Sequence, residues 1–281
     1  MVLTKLPPLP TIRDLIRIYG ISAKSKLSQN FILDKNVTDK IVSKANPAKN
    51  NTLVIEVGPG PGLLTRSLLD YGSLNIIGIE KDERFYPSLC QLSEASENRF
   101  IPIIDDMLKI DHMKILDVYK QNFDSEIENV HLIGNLPFNI STPLLTSWLR
   151  MLYNKEGIFS LPNPKLTLMF QKEVGQRIAA DAGNNLRGRL SVMSQSICNV
   201  RELYAVKSSS FVPQPKVNAI VVGLEPLETP LLECKMWNPE MLPLLEEANI
   251  MSFLRPQDIE TEAICKLAKI LEDRNIQLPQ S

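Results

Sequence analysis

The sequence is poor in the residues that build metal centres and disulfide frameworks. Its 281 residues include two histidines, at positions 112 and 131, and four cysteines, at positions 90, 198, 234 and 265. The cysteines lie far apart and form no C-x-x-C pair. A disulfide framework, a zinc site or a relay of several histidines therefore has too few parts, and we expect no metal and a reducing compartment.

Long apolar runs and a strong net charge are also missing. No run approaches the ~18 residues that a membrane-spanning helix needs, so we expect no membrane partner. The net charge is −1, but it is unevenly divided. Residues 1–223 carry 26 basic and 21 acidic side chains, whereas residues 224–281 carry 5 and 11. The mildly basic body permits a nucleic-acid partner without requiring one.

The first 28 residues form a basic N-terminal arm with two open interpretations. Apolar residues recur at helical spacing between Ile12 and Tyr19, and acidic residues are scarce. This pattern is typical of a mitochondrial targeting segment. Pro7, Pro8 and Pro10 interrupt the start of such a helix, so an ordinary arm with a short helix is the alternative.

From residue 53 onward, short apolar runs alternate with helical periodicity. The runs predict strands at 53–57, 75–79, 100–104, 130–133 and 165–170. Strands separated by helices indicate a parallel sheet with crossover helices. A helical stretch at about 171–200 precedes two further runs, 203–206 and 218–224, that predict a terminal antiparallel pair. We therefore expect a Rossmann-like α/β domain at 29–225 and a small helical domain at 226–281.

A glycine-rich segment, E-V-G-P-G-P-G from Glu56, follows the first predicted strand directly. Glycines such as Gly58 and Gly60 allow a sharp turn and the close approach of a ligand. A dinucleotide fingerprint, G-x-G-x-x-G counted from Gly58, would place its third glycine where Leu63 stands. The segment therefore favours a ligand that has an adenosine end but no pyrophosphate.

Two acids follow the next strands of the predicted sheet. Glu80 ends the second strand, where a carboxylate can accept hydrogen bonds from both hydroxyls of a ribose. Asp106 follows the third strand, where it can accept from an adenine amino group. A helix cap is the competing interpretation of Asp106.

The segment Asn135-Leu136-Pro137-Phe138 follows the fourth strand, at the sheet edge where open α/β proteins bind ligands. The exocyclic amine of a base is a poor nucleophile because its lone pair is delocalised into the ring. Two acceptors, the Asn135 side-chain oxygen and a carbonyl of Leu136 or Pro137, can draw that amine toward tetrahedral geometry. Phe138 can stack on the base, and Phe211, in a later loop, can cover its other face. Such catalysis depends on positioning and electrostatic complementarity.

Taken together, these motifs resemble those of the ribosomal RNA adenine dimethyltransferases, and the opening segment resembles the mitochondrial branch. The matching segments are Q-N-F-I-L-D, E-V-G-P-G-P-G-L-L-T, I-E-K-D, D-D-M, N-L-P-F, F-Q-K-E-V and F-V-P-Q-P. The family uses S-adenosylmethionine to dimethylate two adjacent adenines in a small-subunit rRNA hairpin. The resemblance implies a monomer in the mitochondrial matrix, with the pre-ribosomal small subunit and the mitochondrial transcription machinery as partners.

The resemblance also assigns roles to individual residues. It implies that Asn135, Leu136, Pro137 and Phe138 hold the target adenine, with Phe211 opposite. It implies cofactor contacts at Gln29, Asn30, Ile32, Gly58, Gly60, Glu80, Lys81, Asp106, Met107 and Asn135.

Two departures from the family pattern stand out. Asp105 takes the place of the usual glycine, which adds a charge beside the cofactor loop. The basic helix of the family's C-terminal domain is missing from residues 226–281, which would weaken RNA affinity. A non-catalytic rRNA-binding assembly factor, or a transcription accessory factor that keeps the cofactor pocket, is therefore the alternative function. A nicotinamide-dependent oxidoreductase is disfavoured by Leu63.

Overall fold

A seven-stranded mixed sheet carries the candidate site. The structure, a computed structural model, describes residues 30–72, 74–181 and 184–230 together with isolated positions before and after them. The strands are β1 Phe31–Ile32, β2 Thr52–Val57, β3 Asn75–Glu80, β4 Phe100–Ile104, β5 Asn129–Asn135, β6 Pro164–Gln171, β7 Cys198–Val206, β8 Phe211–Val212 and β9 Ala219–Pro226. The helices are α1 Lys35–Ala45, α2 Leu63–Tyr71, α3 Tyr86–Ala95, α4 His112–Asn122, α5 Phe138–Asn154, α6 Lys172–Ile178 and α7 Arg189–Ile197.

The strand order places the candidate residues at one edge. The order is β4-β3-β2-β5-β6-β9-β7. The five strands β4, β3, β2, β5 and β6 run parallel to one another, and β9 runs antiparallel between β6 and β7. The predicted terminal antiparallel pair is therefore confirmed. The direction of strand connection reverses between β2 and β5, and open α/β sheets bind ligands at the carboxyl ends of strands beside such a point.

Strand composition explains why the sheet lies at the centre of the domain. All six residues of β2 are buried, as expected for a parallel strand that is covered by helices on both faces. Two apolar clusters form the core, one against each face of the sheet. Trp148 on α5 belongs to one cluster, and Phe100 on β4 belongs to the other.

The predicted helix at 171–200 is wrong in its middle and at its end. The segment forms two helices, α6 and α7, and the edge strand β7 already begins at Cys198. The intervening sequence contains Asp181, Asn184 and Gly188, which are turn-forming residue types.

Helices α1 and α4 and the short β1–β8 ribbon were not predicted from the sequence. Each of the two helices is preceded by an aspartate whose carboxylate caps the first turn. Asp34 accepts from the N–H of Asn36, and Asp111 accepts from that of Met113, each at 2.9 Å. The ribbon pairs Phe31 with Val212, residues that are remote in sequence.

Three of the sequence predictions fall outside the described residues. The N-terminal arm at 1–28 is described only at isolated positions. The helical domain at 226–281 is described only at 226–230 and at isolated later positions, and Gln29 is not described. Within the described part of the chain, no helix is both long and apolar enough to cross a membrane.

Candidate active site

A cavity of about 300 Å³ opens where β2, β3, β4 and β5 end. Most residues of the predicted site line it, although they come from five separate segments of the chain. These residues are Asn30, Gly58, Glu80, Lys81, Asp106, Met107, Asn135, Leu136, Pro137 and Phe138. The sheet therefore brings together in space the motifs that the sequence places after successive strands.

The glycine-rich loop forms the floor of the cavity after β2. Gly58 has a φ of +70°, and a Cβ atom there would meet nothing within 4 Å. A side chain at Gly58 would therefore occupy open space next to the cavity, in a backbone conformation that favours glycine. Gly60 does not line the cavity, but a Cβ on it would lie 2.8 Å from the Phe31 ring. Glycine at position 60 thus allows β1 to pack against the loop.

Glu80 is a buried carboxylate that is held by the backbone. Its Oε2 accepts from the N–H of Gly60 at 2.9 Å, and its Oε1 accepts from the N–H of Asp82 at 2.8 Å. Only 3% of the residue is exposed, and burial raises the pKa of its carboxyl against the opposing effect of those two donors. The carboxylate is fixed in place before any ligand arrives.

Glu56 is an acid of the site region to which the sequence reasoning gave no role. It is fully buried on β2, and its Oε2 accepts from the Thr65 hydroxyl at 2.7 Å. Its Oε1 has no hydrogen-bond partner among the described residues. Burial, with repulsion from Glu80, raises the pKa of Glu56 to about 8. The available signal was a single acid within the otherwise apolar end of the strand, T-L-V-I-E-V.

Asp106 does not form the helix cap that was its competing interpretation, because residues 107–109 form a turn and helix α4 is capped by Asp111. The Oδ1 of Asp106 accepts from the N–H of Leu108 at 3.0 Å within that turn, while its Oδ2 binds the Lys81 ammonium at 2.8 Å. Partial burial alone would raise the pKa of this carboxyl, but the bonds from Lys81 and Leu108 outweigh it and lower the pKa. The hydrogen bond from an adenine amino group to the Asp106 carboxylate stays a prediction.

The charge added by Asp105 is balanced within the chain. Its Oδ2 binds the Lys114 ammonium at 2.8 Å, and its Oδ1 accepts from the N–H of Asp106. Lys114 lowers the pKa of the Asp105 carboxyl. The charge that Asp105 adds beside the cofactor loop is therefore paired, and its second oxygen bonds to the backbone of the loop.

Asn135, the last residue of β5, has a defined amide orientation. Its Nδ2 donates to the backbone carbonyl of Asn30 at 2.7 Å. A carbonyl can only accept, so the amide nitrogen must face Asn30. The side-chain oxygen, Oδ1, is left on the other side as a hydrogen-bond acceptor.

The residues after Asn135 present a second acceptor. The carbonyl of Pro137 accepts from the N–H of Ile140 at 3.1 Å, at the start of α5. Of the two carbonyls considered from the sequence, that of Leu136 is therefore the more available for a ligand, because the Pro137 oxygen already uses one of its two lone pairs. The Leu136 side chain is 1% exposed, which anchors this turn in the core. Phe138 is half-buried and lines the cavity.

Comparison with known proteins adds the family. The model of the family described as "Ribosomal RNA adenine dimethylase" matches residues 20–239. The chain belongs to this family.

Named relatives extend this result. The chain is 44% identical to the Homo sapiens protein "Dimethyladenosine transferase 1, mitochondrial" over 230 residues, which are 82% of this chain. The match spans 66% of the human protein's length. A Vermamoeba vermiformis protein of the same name is 38% identical over 326 aligned positions, covering 94% of this chain and 95% of that protein. Because 326 exceeds 281, that relative has residues with no counterpart in this chain.

A solved structure supports the fold. The "Crystal structure of a dimethyladenosine transferase from Plasmodium falciparum" superimposes with a TM-score of 0.57 at 21% sequence identity. It covers 88% of this chain and 98% of the Plasmodium chain. The α/β methyltransferase fold, with a mostly parallel sheet and an antiparallel end, is therefore confirmed.

Besides Gly60, two of the residues that were predicted from the dimethylase family pattern lie away from the cavity. Phe211 is 2% exposed and packs in the core, where β8 pairs it with Ile32. The second aromatic face predicted for the base is therefore not formed by Phe211 in this structure. Ile32 is 6% exposed in the same cluster and does not line the cavity either. Both side chains are apolar, and both residues lie in the β1–β8 ribbon that packs against the core, so they are buried there.

Several lining residues were missed by the dimethylase motif pattern, and most of them are apolar. They are Phe31, Val57, Ile79, Asp105, Asn139 and Ile140. Each lies within two residues of a predicted site residue in sequence, so closeness along the chain was the signal that could have found them.

Proposed function

We propose that the chain is an S-adenosylmethionine-dependent rRNA adenine-N6 dimethyltransferase. Its substrate is a pair of adjacent adenines in a hairpin of the mitochondrial small-subunit rRNA, and its place of action is the mitochondrial matrix. The observation that carries the proposal is the amide of Asn135, which Asn30 orients so that Oδ1 is the acceptor at the cavity. The names of the curated relatives and the family membership agree with this substrate and location.

The cavity suits an adenosine-bearing cofactor with a short amino-acid tail. Gly58 leaves the open space that a Cβ would fill, and the buried Glu80 presents a backbone-held carboxylate to ribose hydroxyls. Asp106 and Met107 line the part of the cavity that follows β4 and would hold the adenine. When bound, S-adenosylmethionine supplies a methyl group on a positively charged sulfur. The apolar residues of the cavity wall keep water from the reacting atoms.

The residues after β5 would hold the target amine. Asn135 Oδ1 and the Leu136 carbonyl are neutral acceptors, so they can bind both protons of the N6 amine before transfer. Each methyl transfer would then release one N6 proton to solvent, so that two transfers replace both protons. With both protons held, the nitrogen lone pair is directed away from the ring plane and toward the cofactor side. Phe138 stacks on the base that has been flipped out of the hairpin. The rate gain then comes from positioning and from preorganised dipoles.

Methyl transfer by the full 281-residue chain tests this proposal. The substrate is a synthetic hairpin with the paired adenines, and the readout is labelled methyl incorporation from S-adenosylmethionine. We expect Asn135→Ala to lower the rate roughly 100- to 1,000-fold, as for the loss of one preorganised polar contact elsewhere. Asn154→Ala, the same change at the exposed end of α5, should leave the rate unchanged.

Two results would contradict the proposal. If the Asn135→Ala chain methylates the hairpin at a rate within threefold of the parent, the role assigned to Asn135 as hydrogen-bond acceptor is wrong. A parent chain that binds hairpin and cofactor but transfers no methyl group would favour the non-catalytic assembly factor. The residues of the Vermamoeba relative that have no counterpart here are the observation that keeps this second function in view.

A further inference from the structure

We propose that Glu56 is a positioning residue that works as a neutral acid beneath the cofactor loop. In its protonated state it holds the first turn of α2 against the end of β2, and its ionisation releases cofactor. The inference rests on the proposed function, because its readout is ligand binding in the same cavity.

The position of Glu56 in the sheet connects it to both sides of the loop. It lies two residues before Gly58, and the register pairs it with Gly78 on β3 and Ile133 on β5. Since side chains alternate along a strand, Glu80 projects from the same face as Gly78 and therefore from the same face as Glu56. Two carboxyl groups thus share one buried side of the sheet.

The hydrogen bonds decide which of the two acids carries the proton. Glu80 receives a backbone N–H on each oxygen, and such donors favour the ionised form. Among the described residues, Glu56 receives donors only from Thr65, and its Oε1 is buried without a partner. A lone buried oxygen stabilises a carboxylate poorly. Burial raises the pKa of both carboxyls, but the donors on Glu80 oppose that rise on both of its oxygens, so Glu56 is the acid that keeps its proton more readily.

Among the residues that the structure describes, no cation contributes to the electrostatics of Glu56. On β3 it faces Glu80, which repels an ionised Glu56, and on α2 it meets the neutral Thr65. His131 on β5 projects from the same face, but burial lowers the pKa of its imidazole to about 3, so it is neutral. The burial that raises the pKa of Glu56 to about 8 acts in the same direction.

Ionisation would place two negative charges on this dry side of the sheet. The repulsion is relieved if Glu56 leaves Thr65 or if Glu80 leaves Gly60, and either movement distorts the loop that carries Gly58. Glu80 is also the proposed ribose acceptor, so its displacement weakens cofactor binding. Affinity should therefore fall as pH rises through about 8.

Binding of S-adenosylhomocysteine to the full chain, measured by calorimetry between pH 7 and pH 9, tests the inference. A group that must stay protonated with a pKa of about 8 weakens binding by about tenfold over this range. Glu56→Gln copies the neutral acid, so its affinity should match the parent at pH 7 and should not show this loss. The amino group of the ligand titrates equally with both proteins, so the readout is the difference between the two profiles. Glu94→Gln, an exposed change on α3, should follow the parent.

Thr65→Val provides a second variant that keeps the acid. The change removes the Thr65 hydroxyl, a donor that favours the ionised form of Glu56. The loss of ligand affinity with rising pH should therefore shift to higher pH. Thermal melts confirm that each variant is folded. Parallel profiles for the parent and Glu56→Gln, or an unmoved midpoint in Thr65→Val, would overturn this inference alone. A parent chain that binds no ligand at any pH would overturn the proposed function as well.

Discussion

The two ends of the cavity are built from different kinds of polar group. At the cofactor end, Glu80 and Asp106 are carboxylates whose oxygens already accept hydrogen bonds from the chain. At the base end, Asn135 and Leu136 offer neutral acceptors, and only the amide nitrogen of Asn135 is tied down. In the proposed function, this difference means that charged groups hold the cofactor, whereas neutral oxygens face the amine that must keep its lone pair available.

The supports of the two ends differ as well. Glu80 closes β3 and is buried in the sheet, so its position depends on strand pairing. Asn135 depends on Asn30, which lies 105 residues earlier in the chain. The base end is therefore assembled across the molecule, and the cofactor end is assembled mainly within the strand ends.

Replacing Phe211 tests whether the base end includes a second aromatic face, and it has the largest expected effect. Phe211→Ala should lower the free energy of unfolding by roughly 3–5 kcal/mol, because it empties a core position. Denaturant unfolding measures this change. Phe211→Leu keeps most of the volume and should leave methyl transfer within threefold of the parent. If a folded Phe211→Leu chain lost tenfold or more in the rate of methyl transfer, we would conclude that Phe211 does contact the target base.

Neutralising Glu80 tests the cofactor end. Glu80→Gln should weaken S-adenosylhomocysteine binding roughly 30- to 100-fold, because the amide nitrogen would face a backbone N–H and a charge-assisted bond would be lost. Calorimetry at pH 7 measures the change. Glu83→Gln, an exposed acid on the neighbouring turn, serves as the matched control. Equal affinity in the two variants would show that the buried carboxylate does not contact the ligand.

The smallest effect is expected from Asp105→Asn, which sharpens the same comparison. The ion pair with Lys114 is largely solvent-accessible, and such pairs contribute about 0–1 kcal/mol. Asparagine can still accept from the N–H of Asp106, so cofactor affinity should change less than threefold. A tenfold loss, measured by the same titration, would mean that the Asp105 charge itself acts on the ligand.

The sheet was largely predictable because its strands are apolar runs of the right length. The prediction at 100–104 coincides with Phe100–Ile104, and the other parallel strands were placed within two residues of their observed ends. Helix α1 was missed because K-N-V-T-D-K-I-V-S-K-A is polar overall, although its few apolar residues, Val37, Ile41, Val42 and Ala45, recur at helical spacing. Its cap at Asp34 and its packing against α2 stabilise it.

The site was predictable mainly where a motif follows a strand, and Asn30, which precedes β1, came from the family resemblance alone. Glu80 and Asn135 are examples, since the carboxyl ends of parallel strands must meet at one edge. The orientation of the Asn135 amide was not predictable, because it depends on the remote carbonyl of Asn30. The burial of Phe211 was missed for the same reason, as it requires knowledge of the ribbon with β1.

The place of β9 between β6 and β7 has a consequence for the newly made chain. Within the described sheet, β7 pairs only with β9, which is the later of the two in sequence. During synthesis from the N-terminus, β6 and β7 must wait with unpaired edges until Ala219–Pro226 has left the ribosome. Nascent chains that stall before residue 219 should therefore be chaperone clients, and closing of the sheet is a late event in the maturation of this protein.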